Sequence, residues 1–195
     1  MSLIEKNFRL LLAKHKSNIT VKFSTLFKCY NGGAFKSSDY VDFSVNKLIT
    51  IKNIDGVGFD TREVTFFKSN PKYERYKLEV SDILLTMTGA YLGRSGIVDE
   101  ENCYQNQRVL KIKCESKAFC YAFLKNNENA IFQLGRGSAQ PNLSLEDLYN
   151  LEINYDLATV KMFCRYDCLF DKLLSLKIKN KKLASLKQQL LNKYF

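Results

Sequence analysis

The side chains with chemistry to offer are concentrated in two polar stretches. Residues 31–40 hold Asn31, Gly32, Gly33, Phe35, Lys36, Ser37, Ser38, Asp39 and Tyr40, and residues 135–144 hold Arg136, Ser138, Gln140, Asn142 and Ser144 among glycines. Arginine matches the two acceptors of guanine, and glutamine or asparagine matches the acceptor and donor of adenine; lysine and hydroxyls meet phosphate. Surface loops of the same composition are as often inert, so residue types alone leave the two readings level. A different chemistry needs Asp99, Glu115 and Lys117: two carboxylates to hold Mg²⁺ and a lysine beside the attacking water, the parts of a metal-dependent nuclease. Acids and lysines are common enough that this spacing arises readily by chance.

Other catalytic patterns are weaker. Gly89, Gly93 and Gly96 follow an apolar, strand-like run, but no Lys-Ser/Thr comes after them, so they fit a turn rather than a triphosphate cradle. Asn70-Pro71-Lys72-Tyr73 departs from the Asn-Pro-Pro-Tyr of amino-methyltransferases at its third residue and is read as a loop. His15 has no Ser or Cys arranged with it for nucleophilic catalysis. The six cysteines (Cys29, Cys103, Cys114, Cys120, Cys164, Cys168) contain no Cys-x-x-Cys pair. With a single histidine in the chain, no zinc site and no resident cofactor are expected. Reduced thiols in a cytoplasmic protein are the expectation.

These residues must be positioned by 195 residues, enough for one domain with an appendage. Hydrophobic residues make up 46% and charged ones 26%, a globular balance. The net charge of +10 favours an anionic partner. It is unevenly spread. Residues 1–28 carry six basic and one acidic side chain, and residues 156–195 nine and three, leaving 15 basic against 16 acidic between them. DNA binding by the middle must therefore come from local arrangement rather than summed charge. No run of roughly 18 apolar residues occurs, so no membrane-spanning helix is expected, and residues 1–16 are too charged for a secretory signal.

The middle predicts short strands: 48–51, 63–67, 83–88, 97–98 and 108–113, with a turn at Asp55-Gly56-Val57-Gly58 and an amphipathic helix over 117–134. With an amino-terminal helix over 1–16, this gives an α+β domain, mostly antiparallel, over 1–155. Residues 156–195 predict a long helix in which Met162, Leu169, Leu176, Leu183 and Leu190 recur every seven residues. Leu173, Asn180 and Leu186 extend that stripe. A seven-residue period suits a facing helix better than a flat sheet, so Leu169, Leu173, Leu176, Asn180, Leu183, Leu186 and Leu190 are read as a coiled-coil-like dimer seam. A helix packed on its own domain is the competing reading.

The order of segments resembles one known family. The stretch 31–40, Ile49-Thr50-Ile51-Lys52-Asn53-Ile54, residues 81–89, Gly93-Arg94-Ser95-Gly96-Ile97-Val98, Asn106-Gln107-Arg108-Val109, residues 137–144 and the closing leucine-rich helix are together similar to DNA specificity (S) subunits of type I restriction-modification systems. The resemblance implies one target recognition domain and one spacer helix, a half-size form of the family's usual two of each. It implies a non-catalytic reader of one half of a bipartite site on double-stranded DNA. As a homodimer it would position methyltransferase (M) subunits, which carry the S-adenosylmethionine, and restriction (R) subunits. The DNA contacts implied are Lys36, Lys52, Arg62, Arg75, Tyr91, Arg94, Arg136, Gln140 and Asn142. An interaction protein that sequesters an M subunit without reading DNA is a further reading. Where the family has a proline-containing turn, Asn154-Tyr155-Asp156-Leu157-Ala158-Thr159 stands instead, with Asp156 or Thr159 available as a helix cap.

Overall fold

The structure, a computed structural model, describes residues 2–54, 59–135 and 141–194. Helix α1 (Leu3–Lys14) starts at Ser2, whose hydroxyl accepts the Glu5 amide at 3.2 Å while the Glu5 carboxylate accepts the Ser2 amide at 2.7 Å, a reciprocal cap. Phe8 and Leu12, one turn apart, form its buried stripe. Strand β1 (Val21–Lys22), the one-turn helix α2 (Phe23–Leu26) and β2 (Lys28–Asn31) follow, then β3 (Tyr40–Val41), β4 (Lys47–Ile49) and β5 (Thr65–Phe67). A 3-10 segment at Pro71–Tyr76 leads to β6 (Ile83–Thr86), β7 (Ser95–Ile97), β8 (Cys103–Gln105) and β9 (Val109–Lys113). Helices α3 (Lys117–Asn126), α4 (Glu128–Leu134) and α5 (Leu145–Asn150), strand β10 (Glu152–Ile153), and helices α6 (Leu157–Cys164) and α7 (Asp167–Tyr194) complete the chain.

The fold is α+β, as the sequence predicts. One four-stranded sheet, β2-β9-β6-β7, is antiparallel throughout; the other, β3-β5-β4-β8, is antiparallel except where β4 lies beside β8. Strand β6 explains why its sequence is continuously apolar. Ile83 and Leu85 enter a large core with the helices, while Leu84 enters a second core with Ile49, Phe59 and Val98 on the other side. A sheet covered on both faces needs no polar alternation. A third, aromatic cluster gathers Leu48, Phe67, Tyr73 and Tyr104. The single helix expected over 117–134 is two, meeting at Asn127, whose backbone leaves helical geometry (φ −113°, ψ 14°) while its side-chain amide donates to the Phe123 carbonyl at 2.8 Å. The turn expected at 55–58 lies outside the described residues.

The carboxy-terminal helix also departs from expectation. It is not one rod over 156–195: α6 begins at Asp156, whose carboxylate accepts the Thr159 amide at 2.8 Å, and the chain breaks at Arg165-Tyr166 before α7. The first half of α7 packs on its own domain. Phe170, Leu173 and Leu174 are buried in the core that holds Phe8 and Phe119. Asp167 accepts the Ser116 hydroxyl at 2.7 Å and the Ala118 amide at 2.8 Å, so the start of α7 also secures the start of α3. Lys177 reaches Glu5 at 3.5 Å, and Lys181 reaches Asp99 at 2.7 Å. Leu173, expected in a dimer seam, is only 2% exposed and belongs to this domain face. The domain-facing stripe, buried at 170, 173 and 174 and half-buried at 177, 178 and 181, has ordinary helical spacing, and the seven-residue stripe lies beside it. From Lys182 to Tyr194 every side chain is exposed.

Burial pushes the Glu5 carboxyl up, but the Tyr121 hydroxyl at 2.6 Å, the Ser2 amide and Lys177 outweigh it and hold it at about 2. A carboxyl lowered from 4.5 in the unfolded chain to about 2 in the fold contributes stability fully above pH 4.5, and that contribution fades as pH falls toward 2. Urea unfolding across this window is expected to show a smaller acid loss for Glu5→Gln than for the wild type. An unchanged pH profile in the variant would show that the Glu5 cluster does not couple to folding.

Candidate nucleic-acid interface

Turns distant in sequence are laced into one surface by backbone hydrogen bonds. The Gly33 amide donates to the Gln105 carbonyl at 2.9 Å, and the Gln107 amide returns to the Gly33 carbonyl at 2.8 Å. The Asn106 amide reaches the Ile49 carbonyl at 3.0 Å, and the Met87 amide the Arg108 carbonyl at 3.1 Å. Beyond these, the Gly89 amide donates to Pro141 at 2.9 Å and the Leu143 amide to Met87 at 2.8 Å. The turns around residues 32–36, 49–53, 87–94, 105–108 and 141–143 therefore adjoin, with 105–108 as the knot. Two glycines make the knot possible. A Cβ on Gly32 would stand 2.1 Å from the Asn106 carbonyl oxygen, and one on Gly33 2.3 Å from the Tyr76 ring.

The expected contacts fall into two groups on this surface. Lys52 lies in the 3-10 turn Ile51–Asn53, and the Ile51 side chain approaches Gly89. Tyr91 and Arg94 flank the following turn, with the Arg94 guanidinium 4.8 Å above the Tyr91 ring. Asn142, exposed, bridges to Thr88. The second group is built on aromatic rings. Phe35 stacks on Tyr73 at 4.0 Å, the Tyr73 hydroxyl accepts the Lys36 amide at 3.1 Å and donates to Asp39 at 2.7 Å, and Arg75 lies 4.7 Å over Tyr76. Hydrogen bonds from Lys72 and Tyr73 hold the Asp39 carboxyl below its ordinary range, so it stays an anion that fixes this group. Arg62 is set apart: its Nε donates to the Asp60 carboxylate at 2.9 Å in a loop joined to α7 through Thr61, Glu100 and Lys181. Arg136 and Gln140 lie outside the described residues. Gln107 and Arg108 are also exposed on the knot itself; the segment Asn106-Gln107-Arg108 carries no signal in the sequence for which turn it joins.

The nuclease trio is not assembled as a metal centre. The Asp99 carboxylate is held by Lys181, and Lys117 donates to the Ser81 hydroxyl at 2.7 Å, while Glu115 is exposed. Among the described residues no group of three or more His, Cys, Asp or Glu is placed to hold a metal ion. Burial raises the Asp99 carboxyl, with Lys181 opposing it. The six cysteines are free, and burial pushes Cys29 and Cys114 up to about 11 and Cys103 up to about 12, which suits packing rather than nucleophilic attack. No described helix is long and apolar enough to cross a membrane.

Residues 20–155 match the family model described as the type I restriction modification DNA specificity domain. Among solved structures, the chain is similar to the S subunit of a type I restriction-modification system from M. genitalium, with 17% identity and a TM-score of 0.60 over 97% of this chain and 48% of that one. It is also similar to the HsdS subunit from Thermoanaerobacter tengcongensis, with 13% identity and a TM-score of 0.58 over 97% of this chain and 50% of that one. A chain from a structure of a type I restriction-modification assembly shares 12% identity with a TM-score of 0.58, over 96% of this chain and 49% of that one. These are likenesses of fold, and the chain spans about half the length of each. No match is found among curated protein sequences.

Proposed function

Since the chain belongs to the type I restriction-modification DNA specificity family, we propose that it reads one half of a bipartite site on double-stranded DNA and leaves chemistry to its partners. The observation that carries this reading is that the turns bearing Lys36, Lys52, Tyr91, Arg94 and Asn142 are tied together by backbone hydrogen bonds through residues 105–108, with Arg75 beside them on the Tyr76 ring. Cations and amides on a preformed surface can meet phosphates and base edges together. Spanning about half of its structural relatives, the chain would supply a second reading head by pairing two copies through the exposed distal half of α7. Methyltransferase subunits, carrying S-adenosylmethionine, and restriction subunits would dock on that pair. The site is then an inverted repeat, since a twofold pair presents the same surface twice.

The test is selection of bound duplexes from a randomised library by the purified chain. A recovered consensus with twofold symmetry is expected; equal retention of all duplexes at matched salt would overturn the reading. Arg94→Ala is expected to weaken binding by about 1–3 kcal/mol and relax preference at one base pair if the guanidinium pairs with a guanine. Loss spread evenly over all sequences would instead make Arg94 a phosphate contact.

A further inference from the structure

A recess of about 460 Å³ lies between the edge strand β2 and the 71–76 segment, lined by Tyr30, Tyr76, Arg75, Lys111, Gln105 and the neighbouring turn at Asn31-Gly32. Its volume falls in the range of about 300–1,000 Å³ that small-molecule sites occupy. Two tyrosine rings border it, and Tyr30 is 44% exposed. Each ring has cations beside it: Arg75 lies 4.7 Å from the Tyr76 ring, and Lys111 and Lys113 lie 5.7 and 5.9 Å from the Tyr30 ring. Among the described lining residues there is no carboxylate, and the one cation with an acidic partner is Lys111, paired with Asp82 at 3.3 Å, although residues 29–155 as a whole carry a slight acidic excess. Gln105, 2% exposed, donates both amide protons, at 2.7 Å to the Tyr30 carbonyl and at 2.7 Å to the Val109 carbonyl. What it has left for a ligand is its carbonyl oxygen, an acceptor. A peptide strand is a poor occupant, because the Tyr149 hydroxyl already meets the Cys29 amide and Gln105 the Tyr30 carbonyl.

Flat rings, cations and a fixed amide acceptor are the groups that hold a base by its face, a phosphate by its charge and an exocyclic amine by its proton. We propose that the recess binds a nucleoside 5′-monophosphate unit, its base stacked against Tyr30 and its phosphate met by Arg75. The unit could come from free nucleotide or from a nucleotide unpaired within bound DNA; the second source rests on the DNA-reading function proposed above, since the recess adjoins that surface at Gly32 and Arg75.

Two arms separate the sources. In the first, adenosine 5′-monophosphate is titrated by calorimetry against wild type, Tyr30→Ala and Tyr30→Phe, with adenosine and inorganic phosphate as part-ligands. In the second, a duplex with one unpaired adenine is compared with the same duplex fully paired. Binding that falls roughly tenfold in Tyr30→Ala and is kept in Tyr30→Phe is expected in at least one arm, with fully paired duplex bound equally by all three proteins. Nucleotide binding without duplex binding would support the recess and sink the DNA-reading function. Sequence-selective duplex binding, with no gain from the unpaired adenine and no nucleotide binding, would overturn the recess alone. Binding in either arm that is indifferent to Tyr30→Ala would also overturn it.

Discussion

Leu183→Glu is expected to give a folded chain that no longer pairs. Leu183 is 63% exposed and Leu190 57%, and both lie beyond Lys181, where α7 makes its last ion pair with the domain. The substitution therefore leaves the domain core untouched. In a paired state Leu183 would be buried twice, once per copy, and each buried leucine contributes about 1.5–3 kcal/mol. Losing both, and desolvating two carboxylates, amounts to a hundredfold or greater rise in the dimer dissociation constant. Light scattering should show a dimer for the wild type and a monomer for the variant, with circular dichroism unchanged. Affinity for an inverted repeat should collapse to that of a single half-site. Leu173→Glu is the contrasting variant, since it places a charge in the core beside Phe170 and should unfold the chain. A wild-type monomer at micromolar concentration would remove the pairing from the proposed function.

Gly32→Ala should be the most damaging small substitution on the reading surface. The added methyl would lie 2.1 Å from the Asn106 carbonyl oxygen, 2.5 Å from its carbon and 2.6 Å from the Gln105 carbonyl oxygen. All three atoms are backbone, so no side chain can rotate away, and the end of β2 must separate from the turn between β8 and β9. Overpacking of this kind costs about 3 kcal/mol at the upper end of its usual range. Both contact groups are joined through the 105–108 turn, so DNA affinity should fall more than tenfold along with stability. Urea unfolding and DNA titration of the same protein read the two effects. Gly89→Ala, at φ +69° but with only the Ile51 side chain at 4.0 Å, should cost about 1–2 kcal/mol through its backbone alone. If Gly32→Ala matches the wild type in both measurements, the knot is not what holds the surface together.

Local patterns were legible without coordinates where a residue answers to its neighbours in sequence. The apolar run at 83–86, the amino-terminal helix and the charge-rich closing helix all follow from short-range rules. The seven-residue spacing of Leu176, Leu183 and Leu190 likewise marked an apolar stripe that the domain leaves exposed. The order of polar segments was enough to point to the family.

Spatial partnership was another matter. Lys36, Lys52, Arg62 and Arg94 look alike as sequence, yet Arg62 is turned onto Asp60, away from the turns bearing the other three, which are tied through residues 105–108. Asp99 offers a metal-binding carboxylate in the sequence, but in the fold it is held by Lys181, 82 residues on. Leu173 and Leu176 share one apolar pattern and part company because only one of them meets α1, α3 and the core behind them. Periodicity tells which residues share a face of an element. Which faces are consumed by the chain itself depends on contacts between distant segments, whose energies are settled only when the whole core packs.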